Sequence, residues 1–220
     1  MYTLCPAAYR RFAIVVIALF ATPAFASPIP QADPGDAARV SAWIVATHDN
    51  GALPFIVVDK VGARLMLFDA GGKLRADVPV LLGSARGDDS VPGIGTRKLA
   101  AIKPAERTTP AGRFVAQMGV NAAGQDTLWV DYDAAIALHR ASDRKPGPSR
   151  KSRAERLQSP SAAARRASLG CIGVATRFFV DFVRPTFADA GGIVYILPET
   201  RAVTAEFHMP ESGTMVAGGD

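Results

Sequence analysis

A succession of short apolar runs, bounded by glycine, proline, asparagine or aspartate, constrains the fold of this chain most strongly. Runs of this length between turn residues are typical of β-strands. Gly71-Gly72 separates two of them and suits a tight hairpin. The sequence therefore predicts a mainly β domain with a few helices, and its strands are expected in PFIVVDKV, RLMLFDA, KLRADVPVLLG, RKLAAIK, GRFVAQMGV, TLWVDYD, AIALHR and GGIVYILP.

Residues 27–52 are predicted to form an N-terminal linker and a short helix. SPIPQADPG is rich in proline, which favours extended chain. In AARVSAWIVATHDNG, Val40, Trp43 and Ile44 recur at helical spacing, and Asn50-Gly51 supplies a stop.

A second helix is predicted in TRFFVDFVRPTF, from about Ala175. Phe179, Phe182 and Val183 share one helical face, and Pro185 is expected to end or kink the helix. Residues 201–220 are polar and glycine-rich, so they are expected to form a flexible tail.

Residues 1–26 have the three regions of a secretory signal peptide. Arg10 and Arg11 precede the apolar run FAIVVIALF, and the small-residue end Ala24-Phe25-Ala26 follows. The run is too short to span a membrane, and the rest of the chain has no run of spanning length. We therefore expect an exported protein of the periplasm or cell wall, with no stable membrane span after cleavage.

The cysteine count changes with that cleavage. The chain has two cysteines, and Cys5 leaves with the signal peptide. Cys171 then has no partner within the chain, in a compartment where structural cysteines normally pair. From this alone, Cys171 is a buried apolar side chain, a functional free thiol, or a thiol that pairs between chains in an exported redox or adhesion protein.

The segment 140–166 is strongly basic. It carries nine basic residues against two acidic ones, namely Arg140, Arg144, Lys145, Arg150, Lys151, Arg153, Arg156, Arg165 and Arg166 against Asp143 and Glu155. It has no aromatic residue on which a base could stack, so nucleic acid is not predicted as a partner. We expect a solvated loop, either a lid that steers an anionic polymer or a disordered solubilising insertion.

Other motifs give no cofactor. Gly93-x-Gly95 lacks the third glycine and the lysine context of a nucleotide-binding loop. His48 and His208 have no partners at metal-ligand spacing. The sequence therefore predicts neither a metal ion nor an organic cofactor.

Three stretches occur in a diagnostic order after FIVVDK. They are ERTTPAGRF at 106–114, a strand ending in Leu138-His139, and SLGCIGV at 168–174. In this order they resemble the L,D-transpeptidase (YkuD-type) catalytic domain, from about Phe55 to Pro198. The chain departs from that family by having SLGC in place of S/T-HGC and Gly173 where the family usually has Asn or Arg. Its His139 is followed by Arg140 and stands 32 residues before Cys171.

The resemblance implies a β-sandwich-like fold of mixed sheets in a catalytic domain over residues 53–200, with 140–166 as a basic insertion or lid. It also implies that Cys171 is the nucleophile and that His139 is its base. Thr109, Gly112 and Arg140 would border the substrate groove.

The chemistry of the pair agrees with those roles. A free thiol titrates near ~8.5, so it needs an imidazole, a cation or a helix N-terminus to become a thiolate at neutral pH. The backbone N–H groups of Leu169, Gly170 and Cys171 are candidates for an oxyanion hole, because Gly170 permits a tight turn. Ser168 either orients His139 by a hydrogen bond or caps the turn.

The function that the resemblance implies is an exported cysteine acyltransferase acting on peptidoglycan stem peptides. It would be an L,D-transpeptidase, or an L,D-carboxypeptidase if water takes the acyl group. The alternative is a non-catalytic peptidoglycan-binding or structural relative with a degenerate site.

Overall fold

The computed structural model describes residues 35–141 and 151–210. Its strands are β1 Phe55–Asp59, β2 Arg64–Phe68, β3 Leu74–Pro79, β4 Leu82–Gly83, β5 Gly112–Val120, β6 Asp126–Asp131, β7 Ile136–Arg140, β8 Arg166–Ser168, β9 Ile172–Val174 and β10 Gly192–Ile196. Its α-helices are α1 Asp36–Thr47, α2 Arg153–Leu157, α3 Thr176–Phe178, α4 Arg184–Phe187 and α5 Val203–Phe207, with a π-helical turn over Phe179–Val183.

The strands form one large mixed sheet and one small parallel sheet, which confirms the mainly β prediction. The larger has eight strands in the order β3-β2-β1-β10-β5-β6-β7-β9, and the smaller pairs β4 with β8. Pairing is parallel between β1 and β10, β7 and β9, and β4 and β8, and antiparallel elsewhere. The hairpin expected at Gly71-Gly72 joins β2 to β3.

Two apolar clusters cover opposite faces of the large sheet. On β1, Ile56 and Val58 belong to the main cluster, whereas Phe55 and Val57 belong to the second. The main cluster includes apolar residues of the π turn and its flanking helices, and the second includes those of α1 and α5. Both faces of β10 are covered, so every residue of this strand is buried, as its continuous apolar run predicted.

The first predicted helix is confirmed as α1. Val40 and Ile44 are buried, and Trp43 packs against the second cluster. The helix ends where His48 takes a left-handed conformation, with φ 54°. The predicted linker before residue 35 and the predicted signal peptide, with Cys5, lie outside the described residues.

The predicted strand at RKLAAIK is wrong. The chain there forms short 3₁₀ turns at Ile94–Thr96, Leu99–Ala101 and Pro104–Glu106. Ile102 is the one apolar residue of this stretch that is buried, and Leu99 is 69% exposed. A single buried side chain does not give a strand an inward face.

The second predicted helix exists, but its predicted buried face is wrong, and Pro185 does not end it. Phe182 is exposed, whereas Phe178 and Phe187 are buried beside Phe179. The helical chain also continues through Pro185, which lies in the first turn of α4. A proline donates no N–H and its ring crowds the preceding turn, and the wide π turn directly before it relieves both constraints.

The chain after residue 200 is not wholly a loose tail. Val203, Phe207 and Met209 are buried in the second cluster, where the Phe207 ring lies 6.0 Å from that of Tyr195 and 6.4 Å from that of Trp43. The prediction of a flexible tail is therefore wrong for the segment that holds α5. Residues 211–220 lie outside the described part of the chain.

Among the helices of the described residues, none combines the length and the apolar character that crossing a bilayer requires.

Candidate functional site

The cysteine lies on a tight turn between β8 and β9. Ser168 Oγ donates a hydrogen bond to the Cys171 carbonyl oxygen at 2.6 Å and accepts one from the Gly170 N–H at 3.1 Å. Of the two roles considered for Ser168, the structure therefore has the cap of the turn. Gly170 adopts φ +139°, and a Cβ there would lie 2.8 Å from the Thr108 carbonyl oxygen. The close approach of the Gly170 backbone to the segment at Thr108 thus requires glycine at this position.

Thr109 fastens this turn to the rest of the molecule. Its hydroxyl donates to the Gly170 carbonyl oxygen at 2.7 Å and accepts from the Gly83 N–H at 2.8 Å. The residue is fully buried, so its side chain holds the turn from inside the molecule, and a place at the substrate groove stays a prediction. Gly112 starts β5 opposite Ile196, and its place at the groove likewise stays a prediction.

An ion cluster in the interior stabilises the elements that hold the turn. Its members are Lys60, Asp88, Arg166 and Glu199. Lys60 Nζ donates to Asp88 Oδ1 at 2.6 Å and to the Thr109 carbonyl oxygen at 3.0 Å. Arg166, at the start of β8, donates to Glu199 and to the Lys60 carbonyl oxygen. The cluster therefore holds both Thr109 and the strand that leads into the cysteine turn. Sequence reasoning missed it, because its members are far apart along the chain.

Cys171 lies beside a small, mostly apolar cavity. The cavity has a volume of about 60 Å³, and residues that line it include Leu169, Ile136 and Thr108. The thiol points to the Ala135 carbonyl oxygen, with an S···O distance of 3.6 Å. Burial raises the pKa of the Cys171 thiol, and the Ala137 N–H and the charge of Arg153 act in the opposite direction. The resting sulfur is therefore protonated at neutral pH.

His139 has a defined tautomer. Its Nδ1 lies 2.9 Å from the Arg140 carbonyl oxygen. A carbonyl oxygen only accepts, so Nδ1 carries the proton and Nε2 keeps its lone pair. Burial lowers the pKa of His139; the hydrogen bond to the Arg140 carbonyl opposes that shift, and the charges of Arg153 and Arg140 add to it. The ring is therefore a neutral imidazole with a free basic nitrogen at pH 7.

The register of β7 and β9 relates the two residues. Leu138 lies opposite Ile172 and His139 opposite Gly173. Leu138 faces the main cluster, so His139 points to the other face of β7, whereas Cys171 belongs to the turn and directly precedes β9. Cys171 therefore lies two residues before Gly173, the partner of His139.

No hydrogen bond joins His139 and Cys171 among the described residues, since each has the separate carbonyl partner given above. They also line different cavities. That of His139 is polar, has a volume of about 270 Å³, and includes Asn121, Asp126 and Arg140. His139 and Cys171 are thus close in the register of the strands, but the thiol points to a backbone carbonyl and not to the imidazole.

Two further predicted site residues have structural partners. The Gly170 N–H donates to Ser168, so it is not free for an oxyanion hole as predicted. Arg140 lines the cavity of His139, and its guanidinium lies over the Phe179 ring at 5.1 Å and 4.0 Å from an oxygen of Asp126. The Cys171 N–H faces its own sulfur, where it lowers the pKa of the thiol.

The described part of the basic segment is not simply a solvated loop. Arg165 is buried and donates to the Ser159 carbonyl oxygen at 2.5 Å and to that of Gly62 at 2.7 Å. Residues 142–150 lie outside the described chain. Within the described ranges, no group of three or more His, Cys, Asp or Glu side chains is placed to hold a metal ion.

No protein-family model and no curated protein matches this chain. Among solved structures it is similar to a mutant of the helical cell shape determining protein Pgp2 from Campylobacter jejuni, with 13% identity and a TM-score of 0.42 over 78% of this chain and 59% of that one. It is also similar to an L,D-transpeptidase from Xylanimonas cellulosilytica, with 14% identity and a TM-score of 0.39 over 66% of this chain and 60% of that one.

A third similar structure is the catalytic domain of the E. faecium L,D-transpeptidase, with 16% identity and a TM-score of 0.33 over 66% of this chain and 96% of that one. The chain thus spans about three fifths of the first two structures. Likeness at these values is distant, so the function proposed below depends on the residues of this chain.

Proposed function

We propose that this chain is an exported cysteine acyltransferase of the periplasm or cell wall that acts on peptidoglycan stem peptides, with Cys171 as nucleophile and His139 as base. The observation that supports it best is the register of β7 and β9, in which His139 lies opposite Gly173, two residues after Cys171. The tautomer of His139 supports it as well, because Nδ1 is occupied and Nε2 is the nitrogen left to accept a proton.

The reaction begins with the neutral thiol. As the side chain turns about its Cα–Cβ bond, the S–H leaves the Ala135 carbonyl and its proton passes to His139 Nε2. The sulfur then bonds to the carbonyl carbon at the L-to-D peptide bond of the stem. That C–N bond breaks, the amine of D-alanine leaves with the proton from the imidazolium, and a thioester remains.

An acceptor then resolves the thioester. An amine of a second stem gives a cross-link, and water gives the shortened stem of a carboxypeptidase product. In both cases the acceptor transfers one proton to His139 Nε2, and the proton returns to the sulfur when the C–S bond breaks. Of the three N–H groups first considered, those of Leu169 and Cys171 are proposed to stabilise the oxyanion, since that of Gly170 is engaged by Ser168.

Mass spectrometry after incubation with a disaccharide-tetrapeptide tests the proposal. Loss of D-alanine with a dimer identifies a transpeptidase, and loss without a dimer identifies a carboxypeptidase. Cys171→Ala is expected to abolish both products, and His139→Ala is expected to lower the rate at least ~100-fold. Absence of turnover in the wild type, or full turnover in Cys171→Ala, contradicts the proposal. N-terminal analysis of the exported chain tests cleavage after Ala26.

One observation favours a second function, a non-catalytic peptidoglycan-binding relative. The Cys171 thiol and the His139 ring each hydrogen-bond a backbone carbonyl instead of each other. Under this hypothesis the wild type and Cys171→Ala sediment equally with purified sacculi and neither changes the muropeptides. Turnover that depends on Cys171 excludes it.

A further inference from the structure

Arg153 begins α2, a helix that packs against residues next to β7 and β9. The helix α2 packs through Leu157, which forms a small apolar cluster with Leu81 and Ala141. Ala141 follows β7 two residues after His139, and Leu81 exchanges two backbone hydrogen bonds with Gly173, at 2.8 and 2.9 Å. Arg153 is four residues before Leu157, so both side chains leave the helix on the same side.

The charge of Arg153 is not neutralised by an acidic side chain in the described part of the chain. Among the described residues it has no ion pair, and its side chain is exposed at the start of α2. Arg140, the other arginine that lowers the pKa of His139, is engaged by Asp126 and by the Phe179 ring. Arg153 also acts on the second member of the pair, because its charge lowers the pKa of Cys171 as well as that of His139.

We propose that Arg153 binds the free carboxylate of the peptide that Cys171 attacks. A guanidinium matches a carboxylate with two parallel N–H···O bonds, and an exposed arginine whose charge acts on a nucleophile favours an anionic substrate over a neutral one. The amino acid that leaves from the proposed substrate carries a free α-carboxylate. The identity of this ligand rests on the proposed function, whereas the positive potential at the sulfur does not.

Alkylation of Cys171 measures that potential without turnover. In each reaction the sulfur bonds to the methylene carbon, iodide leaves and the thiol proton passes to solvent, but iodoacetate is an anion and iodoacetamide is neutral. The ratio of the two rate constants therefore reports charge near the sulfur. We expect Arg153→Gln to lower this ratio about five-fold and Arg153→Lys to retain it. Arg156→Gln, which removes the same charge from the same helix, is expected to leave it unchanged.

Protection from alkylation identifies the ligand. N-acetyl-L-lysyl-D-alanine is expected to slow iodoacetamide labelling of the wild type at lower concentrations than its C-terminal amide, and Arg153→Gln is expected to lose that difference. An alkylation ratio unchanged in Arg153→Gln overturns the proposal. A lowered ratio with no preference for the acid in the wild type overturns the carboxylate assignment. The proposed function is tested separately by turnover, because protection needs binding alone.

Discussion

Asp88→Asn removes one charge from the buried ion cluster. Asp88 Oδ1 accepts from Lys60 Nζ at 2.6 Å and from the Glu199 N–H at 2.7 Å, and Oδ2 accepts from the Thr200 N–H at 2.8 Å. In either orientation an asparagine amide puts its NH₂ against one of those backbone N–H groups. The substitution also leaves the Lys60 ammonium buried without its counter-charge. We expect the free energy of unfolding to fall by ~3–5 kcal/mol.

Asp77→Asn is the matched control. Asp77 pairs with Arg64 at 2.8 Å, a distance close to that in the buried pair, but both side chains are about two fifths exposed. Solvent screens such a pair, so its loss is expected to cost under ~1 kcal/mol. Urea unfolding followed by tryptophan fluorescence measures both variants. If Asp88→Asn costs no more than Asp77→Asn, burial does not decide the strength of the pair.

The pH dependence gives a second measure of the same charge. Desolvation raises the pKa of Asp88, but hydrogen bonds from Lys60, from Thr200 and from the Glu199 N–H outweigh it and lower the pKa from 3.8 to about 2. As the pH falls, the unfolded chain takes up this proton first, so the contribution of Asp88 is complete above pH ~4 and is lost toward pH ~2. The difference in stability between wild type and Asp88→Asn is expected to shrink by ~2 kcal/mol over that interval. A difference independent of pH contradicts the lowered pKa.

Substitutions at Thr109, Gly170 and His139 test the cysteine turn and the proposed base. Thr109→Val leaves the buried Gly83 N–H and Gly170 carbonyl unpaired and is expected to cost ~2–4 kcal/mol in urea unfolding, whereas Thr109→Ser keeps both bonds and is expected to cost ~1 kcal/mol. Gly170→Ala is expected to lower the Tm more than Gly124→Ala, because both have positive φ but a Cβ at Gly124 meets nothing within 4 Å. The pKa of His139 is lowered by burial, so the unfolded chain binds that proton first as the pH falls below ~6.5. His139→Gln is therefore expected to lose stability less steeply than wild type between pH 7 and 5, and equal slopes would contradict the lowered pKa.

The elements that sequence reasoning located are those whose signal is local. The apolar run of β10 and the helical spacing of α1 each specify a buried face within one segment. The segment of α5 offers only Val203, Phe207 and Met209, and their burial depends on rings contributed by α1 and β10. Because the segment is polar and rich in glycine, its composition indicated a flexible tail. The structure instead packs it against aromatic side chains that are distant in the sequence.

The same division applies to the candidate site. Cys171 and His139 were predicted from motif order, and their proximity along the strands follows from the pairing of β7 with β9. The groups that hold the turn were not predictable, because the bond from Asp88 to the Glu199 N–H spans 111 residues. Charged residues usually indicate a solvated surface, and only the fold brings Lys60 and Asp88 together in the interior.

The side chain of Leu169 affects the environment of the sulfur more than the geometry of its turn. Thr109 and Ser168 fix that turn through hydroxyl groups and backbone atoms of Gly170 and Cys171, and none of these bonds uses the side chain at position 169. Leu169 instead lines the small apolar cavity beside Cys171. An apolar neighbour desolvates the thiolate and raises the thiol pKa, so proton removal depends more strongly on His139 and on a nearby positive charge. We therefore expect the rate of stem-peptide turnover to depend on His139 and on Arg153 together. A variant that substitutes both residues is a sharper test of the mechanism than a variant that substitutes one of them.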